Sequence, residues 1–121
     1  MLTPPGPLTP GLLVQATTIT LEHEPLPADQ VLAGLPTTGL RVLVEAAPEI
    51  GVAEIGVWEM TPGSAIDVEV DEVFVVLSGR ASLLMPGFDA VELTPGAVVQ
   101  LAAGMATTWT VHETLRKLYI A

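Results

Sequence analysis

Turn dipeptides recur at short, even intervals through the second half of this chain, and they constrain its fold more than any other feature. Ser78-Gly79, Pro86-Gly87, Pro95-Gly96 and Ala103-Gly104 separate short segments that are rich in β-branched residues. Short strands at such spacing are typical of an antiparallel sandwich or barrel. No long stretch keeps a 3.6-residue apolar period, so the sequence predicts an all-β domain with at most one helical turn, within residues 28–33.

The length is that of a single domain. A chain of 121 residues buries roughly two thirds of its unfolded surface and needs no disulfide or zinc to hold a core. Four prolines among the first ten residues predict an extended arm over residues 1–12, followed by one domain over residues 13–121. The strands predicted in that domain are Leu13–Leu21, Arg41–Ala46, Val52–Met60, Ile66–Val70, Glu72–Leu77, Arg80–Met85, Ala90–Leu93, Ala97–Leu101, Ala106–Val111 and Leu115–Ile120.

Composition and charge exclude several classes of protein. With 14 acidic and 4 basic residues and a formal net charge of −10, the chain is expected to bind neither nucleic acid nor anionic membranes. The absence of cysteine excludes disulfides, thiolate metal sites and thiol nucleophiles. No apolar run approaches the roughly 20 residues that span a bilayer, and the N-terminus lacks the pattern of a secretory signal. We therefore expect a cytoplasmic protein.

Strand Glu72–Leu77 is predicted to be apolar on both faces. The even-numbered residues share one face, and Val73, Val75 and Leu77 share the other. An antiparallel sheet with two apolar faces has its outer face covered. The cover is either the N-terminal strand of the same chain or a second subunit, and we favour a homodimer.

Several motifs, taken together in their order and spacing, resemble one known family. They are Val31 to Thr38, Gly56-Val57-Trp58-Glu59-Met60-Thr61-Pro62-Gly63, Asp71-Glu72 with Gly79, Pro95-Gly96, Gly104, Thr108-Trp109 and Glu113 to Tyr119. Over residues 27–121 the chain is similar to the small cupins related to ureidoglycine aminohydrolase and to the ethanolamine-utilisation cupin. The resemblance implies a cupin jelly-roll β-barrel, that is, a double-stranded antiparallel β-sandwich, usually dimeric and with a pocket in the barrel mouth.

The same resemblance implies positions for a divalent metal. General cupins hold the metal with two histidines spaced by one residue, a glutamate, and a third histidine in the second motif. Glu72 matches the glutamate by its spacing to Gly79. The histidine positions instead carry Ile66 and Val68, or Ala65 and Asp67 in the longer register, and Thr107.

Loss of these histidines predicts loss of the metal. Imidazole supplies most of the affinity for iron, manganese or zinc in such sites, so we expect no metal cofactor. Asp67 with Glu72 can still hold a hard ion such as magnesium, together with waters. The two histidines of the chain, His23 and His112, are interpreted as surface residues in a polar connection and at a strand end. Because both histidines are poorly placed to activate a nucleophile, we expect no Ser–His–Asp arrangement.

Glu72 is the candidate catalytic residue. If alternation runs unbroken from Ile66 to Val76, Glu72 lies on an apolar face, whereas Asp67, Glu69 and Asp71 point outward as a solvated acidic edge. A carboxylate on an apolar face needs a hydrogen-bond donor, a proton or water. It is then a general acid or base, an anchor for a cationic or amide group of a ligand, or an inherited glutamate that is bonded internally. In the last case its expected internal partners are Thr107, Trp109 or Lys117.

Other pocket residues follow from strand parity. Lys117 and Tyr119 share a face with Leu115 and are predicted on the pocket side, where Lys117 neutralises Glu72, while Arg116 lies outside. The two tryptophans are either pocket walls or barrel core, and Phe74 and Met85 are predicted as core. The candidate pocket residues are Trp58, Met60, Asp67, Glu72, Phe74, Thr107, Trp109, Lys117 and Tyr119.

Three functions remain open from the residues. The first is metal-independent binding of a small polar metabolite in the barrel mouth, or an accessory role in small-molecule catabolism. The second is an enzyme, similar to ureidoglycine aminohydrolase or an isomerase, that uses Glu72 with a weakly held divalent metal. The third is a structural homodimer with a vestigial pocket. The lost histidines favour the first and third, and we take the first as our hypothesis.

Overall fold

The predicted all-β fold is confirmed. A computed structural model describes residues 7–121, and this part of the chain contains two short 3-10 turns, Ala28–Gln30 and Pro48–Ile50, but no α-helix. It therefore holds no helix of the length and apolar character needed to cross a membrane. The strands are β1 (His23–Pro25), β2 (Val31–Ala33), β3 (Thr37–Val44), β4 (Ile55–Met60), β5 (Gly63–Val68), β6 (Glu72–Leu84), β7 (Val91–Leu93), β8 (Val98–Leu101) and β9 (Ala106–Ile120).

Two long strands, β6 and β9, pair with each other and form the frame of the barrel. On β9, β4 pairs with the half that ends at Ile120, and β5 pairs with the half that begins at Ala106. On β6, β8 and β7 pair in the same way with the first and second halves. Every pairing is antiparallel, and β3 with β1 extends the sheet beyond β4, while β2 extends it beyond β5. The sheet therefore curls around one interior.

Two of the predicted divisions between strands are wrong. Residues 72–84 form one strand, β6, which ends before Met85 and joins the predicted strands Glu72–Leu77 and Arg80–Met85, and β9 likewise joins Ala106–Val111 and Leu115–Ile120. The register between β6 and β9 shifts three times between Val76 and Ala81. Such bulges bend a strand while the flanking residues stay paired, so the glycine at Ser78-Gly79 marks a bend in one strand and not a hairpin turn.

The predicted strand Leu13–Leu21 is also absent, because this segment is irregular and includes a turn at residues 16–18. Ile19 and Leu21 are buried beside Leu43 and Val57, and they form a second apolar cluster on the outer face of β3 and β4. The segment is therefore held there by burial and not by strand pairing. Of the predicted arm over residues 1–12, the first six lie outside the described residues; within the rest, the Leu8 N–H donates to the Leu43 carbonyl over 2.6 Å.

Arg116 lies on the outer face as predicted, but it is buried, not exposed to solvent. It donates to the carbonyl of Ala16 over 3.0 Å and to the carboxylate of Glu59 over 3.3 Å. Glu59 also accepts from His23 over 2.7 Å, so His23 is a partner in this network, contrary to its interpretation as an ordinary surface residue. Burial raises the pKa of Glu59, but the hydrogen bonds from His23 and Arg116 outweigh it, so the pKa lies below the usual value. This network ties the N-terminal segment to β4 and β9.

Candidate functional site

A cavity of about 280 Å³ lies between β4, β5, β6 and β9, and we call it the barrel cavity. It opens to solvent beside Asp67 and Val68, both of which are exposed. Leu26, Gln30, Thr38 and Leu40, which were not among the predicted pocket residues, complete one wall. Of the predicted pocket residues, Phe74 and Thr107 lie behind the wall, both buried, and the others line it: Trp58, Met60, Asp67, Glu72, Trp109, Lys117 and Tyr119.

The floor of the barrel cavity holds an ion pair. The ammonium of Lys117 on β9 donates to the Glu72 carboxylate on β6 over 2.6 Å, and these side chains are only 7% and 10% exposed. The interaction expected from strand parity is therefore present. Because both groups have lost most of their hydration, each charge depends on the other for its stability.

Three aromatic rings surround the Lys117 ammonium. Its Nζ atom lies 4.5 Å from the ring centroid of Phe74, 4.8 Å from that of Trp58 and 4.9 Å from that of Trp109. The Trp58 and Trp109 centroids are 5.5 Å apart, and those of Phe74 and Trp109 are 5.6 Å apart. These distances are within the range of cation–π contacts. Trp58 and Trp109 thus pack in or against the core and also line the cavity, whereas Phe74 is a core residue behind the wall.

Glu69 was predicted to be solvated, and this is wrong. Glu69 is buried, with only 7% of its surface exposed. One carboxylate oxygen accepts hydrogen bonds from the Thr107 hydroxyl over 2.6 Å and from the Trp109 indole N–H over 3.1 Å. The acidic group that Thr107 and Trp109 hold is therefore Glu69, and Glu72 is held by Lys117.

The error arises from one bend between β5 and β6. The chain leaves strand geometry over residues 69–71 before β6 begins at Glu72. The side chains that face the interior consequently lie at odd positions in β5 and at even positions in β6. Ala65 of β5, Glu69 of the bend and Phe74 of β6 are therefore all buried. Val68 and Val70, predicted inward, are 68% and 58% exposed. Asp71 keeps its predicted place at the surface and accepts from the Ala103 N–H over 2.9 Å.

Asp67 stands at the rim of the barrel cavity. Partial burial raises the pKa of its carboxyl, and the negative charge of Glu69 raises it further, against the opposing effects of the Val68 N–H and the Lys117 ammonium. Three carboxylates thus border the cavity, with one ammonium among them. The electrostatic balance of the cavity favours a group that brings positive charge or N–H donors.

Tyr119 lines the barrel cavity, and its phenol is engaged in a hydrogen bond. Its phenol donates to the Glu54 carboxylate over 2.8 Å. Burial and this hydrogen bond raise the phenol pKa well above its ordinary value, so it stays protonated. The ring packs over Gly56, its neighbour on β4, where any Cβ atom would collide with it. Tyr119 therefore shapes the cavity but supplies no base.

The residues at the cupin metal positions do not fit a transition metal. Glu72 is bound to Lys117, and the Thr107 hydroxyl donates to Glu69. Within residues 7–121, no three His, Cys, Asp or Glu side chains are grouped so that they could hold a metal ion. His112, predicted at a strand end, lies within β9 on its exposed side, 3.3 Å from the hydroxyl of Ser82. The charged and aromatic groups that the described residues bring to this site are carboxylates, one ammonium and three rings.

Solved structures with the same fold come from several bacteria. A protein of unknown function from Rhizobium leguminosarum bv. viciae 3841 shares 27% identity at a TM-score of 0.59 and covers 69% of this chain and 78% of its own. The EutQ protein of Clostridium difficile shares 19% identity at a TM-score of 0.58, over 70% of this chain and 67% of its own. A protein of unknown function from Pseudomonas syringae pv. tomato reaches a TM-score of 0.72 with 23% identity over 86% of this chain, which spans 45% of that protein.

These likenesses confirm the predicted cupin jelly-roll barrel. No curated protein sequence matches the chain significantly. The model of the EutQ-like cupin domain matches residues 48–119, which is more than half of the chain. The chain therefore belongs to the EutQ-like cupin family.

Proposed function

We propose that this cupin binds a small polar metabolite in the barrel cavity without a metal, and that the metabolite carries a positively charged or N–H-rich nitrogen group. The observation that carries the proposal is the position of Asp67 at the cavity rim, with a carboxyl pKa raised by burial and by the charge of Glu69. The cavity ammonium is already paired with Glu72. A ligand cation or N–H donor would relieve the excess of negative charge that remains.

The size of the cavity supports a metabolite and not a polymer. About 280 Å³ is close to the lower bound of roughly 300 Å³ for ligand pockets. The half-buried indole of Trp58 offers an apolar face to the same cavity that the Asp67 carboxylate lines. Such a wall with a few convergent polar groups is the usual composition of a small-molecule site.

Replacement of Asp67 by asparagine is expected to weaken binding of that metabolite at least about tenfold, since a charge-assisted hydrogen bond contributes roughly 1.5–3 kcal/mol. A thermal-shift screen of small amines, guanidines, amides and carboxylates, run in EDTA, identifies the ligand, and calorimetry then gives the affinity. Binding is also expected to weaken as the pH falls through the raised pKa of Asp67, because protonation removes the charge.

Asp89→Asn is the matched control, because Asp89 is an exposed loop residue away from the cavity, and its affinity is expected to equal that of the wild type. Hits confined to carboxylates, or hits that vanish in EDTA and return with manganese, would contradict the proposal. The enzymatic alternative has weaker support, because Glu72, its candidate acid or base, is held by Lys117 over 2.6 Å.

We also propose that the chain forms a homodimer through the outer face of β6, β8 and β9. Val73, Val98 and Ile120 are 37%, 67% and 44% exposed, and cross-strand pairs bring Val73 beside Ile120 and Val75 beside Val98. The N-terminal segment packs on β3 and β4 with Leu118. The neighbouring part of the outer face is an apolar patch of the kind that a second subunit covers.

Val98→Glu is expected to convert the dimer to a monomer, because a charge in the centre of an apolar interface is desolvated without a partner. Light scattering coupled to size-exclusion chromatography measures the mass. Leu35→Glu is the control, since Leu35 is 94% exposed in the turn before β3 and should leave the dimer intact. A wild-type protein that elutes as a monomer at micromolar concentration would refute the dimer.

A further inference from the structure

Residues from three strands form a receptor for an ammonium group inside the barrel. Trp58 of β4, Phe74 of β6 and Trp109 of β9 face one Nζ atom at 4.5–4.9 Å. The carboxylate of Glu72 completes the receptor at 2.6 Å. Aromatic rings around a cation are a recognised way to bind alkylammonium ligands. Here the bound ammonium belongs to the chain, on Lys117, which is its only lysine.

The charge on Glu72 is the reason that a cation is needed at this point. Its side chain is 10% exposed, and a carboxylate with so little hydration is costly unless it is paired. For the paired histidines that the family resemblance implies, the shorter register carries Ile66 and Val68, which have hydrocarbon side chains, and the longer register carries Ala65 and Asp67. Thr107, at the third position, directs its hydroxyl to Glu69. Of the residues at these positions, only Asp67 and Glu72 carry carboxylates, and the Glu72 carboxylate is already bound to an ammonium.

We infer that the Lys117 ammonium is a resident cation, which replaces the cupin metal as the counterion of Glu72 and is selected by the aromatic rings as an ammonium. The rings present π faces and no lone pairs, so they attract an alkylammonium but cannot coordinate a transition metal. The inference concerns the floor of the cavity and is independent of the ligand proposed for its rim.

Lys117→Ala tests the inference, because it removes the ammonium and leaves the rings and Glu72 in place. The probe is propylammonium chloride, which restores the three carbons and the nitrogen that the variant lacks. We expect a saturable rise in melting temperature of about 5 °C at ten times the dissociation constant. The neutral isostere 1-propanol should give no rise, and manganese chloride should give less than propylammonium at equal concentration.

Lys117→Met is the matched control, because its side chain fills the space of the lysine stem and should leave no room for the probe. Wild-type protein should likewise not respond. An equal response of all three proteins to propylammonium would overturn the inference, as would a larger response of Lys117→Ala to manganese than to propylammonium.

A measurement on the wild type keeps the inference testable if Lys117→Ala does not fold. Selective lysine labelling gives a single side-chain NMR signal, because Lys117 is the only lysine. Its ε-methylene protons are expected upfield of free lysine owing to the three rings, with no selective broadening by manganese. A free-lysine shift, or strong broadening at a stoichiometric amount of manganese, would show that the ammonium does not occupy the receptor.

Discussion

Replacement of Lys117 by methionine is expected to lower the free energy of unfolding by about 3–5 kcal/mol, because it leaves the buried Glu72 carboxylate without its counterion. The side chains of the pair are 7% and 10% exposed, so little water reaches the carboxylate to replace the lost contact. For a domain of this size the change corresponds to a melting temperature lower by roughly 10–20 °C. Urea denaturation and calorimetry measure both quantities.

The double variant Lys117→Met with Glu72→Met distinguishes the loss of the ion pair from the cost of leaving one buried charge unpaired. Most of the lost stability should return, because an apolar pair of similar volume avoids the cost of desolvating two charges. Arg80→Met is the control for removing a basic residue, since Arg80 is exposed on β6 and a change there is expected within about 0.5 kcal/mol. A loss below about 1 kcal/mol for Lys117→Met would mean that the Glu72 charge does not depend on it.

Replacement of Gly79 by alanine is expected to cost about 4 kcal/mol, the second large effect, because two penalties combine at this position. Gly79 has a φ of +92°, which L residues rarely adopt. A Cβ atom there would also collide with the backbone carbonyl of Thr114 on β9, which cannot move without disrupting the pairing of the two long strands.

Gly87→Ala separates the two penalties. Gly87 has a similar φ of +81° but nothing within 4 Å of an added Cβ, so only the conformational cost of about 1–2 kcal/mol remains. The difference between the two variants measures the close approach of the strands at the bulge. Equal losses of stability in the two variants would contradict a close approach of β6 and β9 at the bulge. They would indicate that the Thr114 carbonyl moves aside without a cost in free energy. Chemical denaturation of both variants in parallel provides the comparison.

The bend at Gly79 connects the fold to the site. It divides β6 into one half that carries Glu72 and Phe74 and another that pairs with β7. Pairing with β9 continues through the bend, so Lys117 and Tyr119 stay opposite the first half of β6. The sequence marks the place with Ser78-Gly79, but a local pattern is the same for a hairpin turn and a bulge. Pairing with a distant strand decides between them.

The inward face of β9 and the ion pair were predictable because side-chain direction alternates along a regular strand. Leu115, Lys117 and Tyr119 lie at positions of equal parity without interruption, and all three are buried. Glu72 then needs a cation, and the chain offers one lysine. Glu69 was mispredicted because the bend before β6 changes parity, and a one-residue offset moves every side chain to the opposite face.

The all-β class and the family could thus be predicted from the residues, because turn chemistry and strand composition are local properties. Three features depended on the tertiary structure. They are the receptor that the aromatic rings form around Lys117, the inward position of Glu69, and the irregular N-terminal segment that packs on β3 and β4. Each of these features arises where segments distant in sequence meet. In the receptor, the residues that meet are Trp58, Phe74 and Trp109. Packing among such residues is set by the curl and register of the whole sheet, which no local segment encodes.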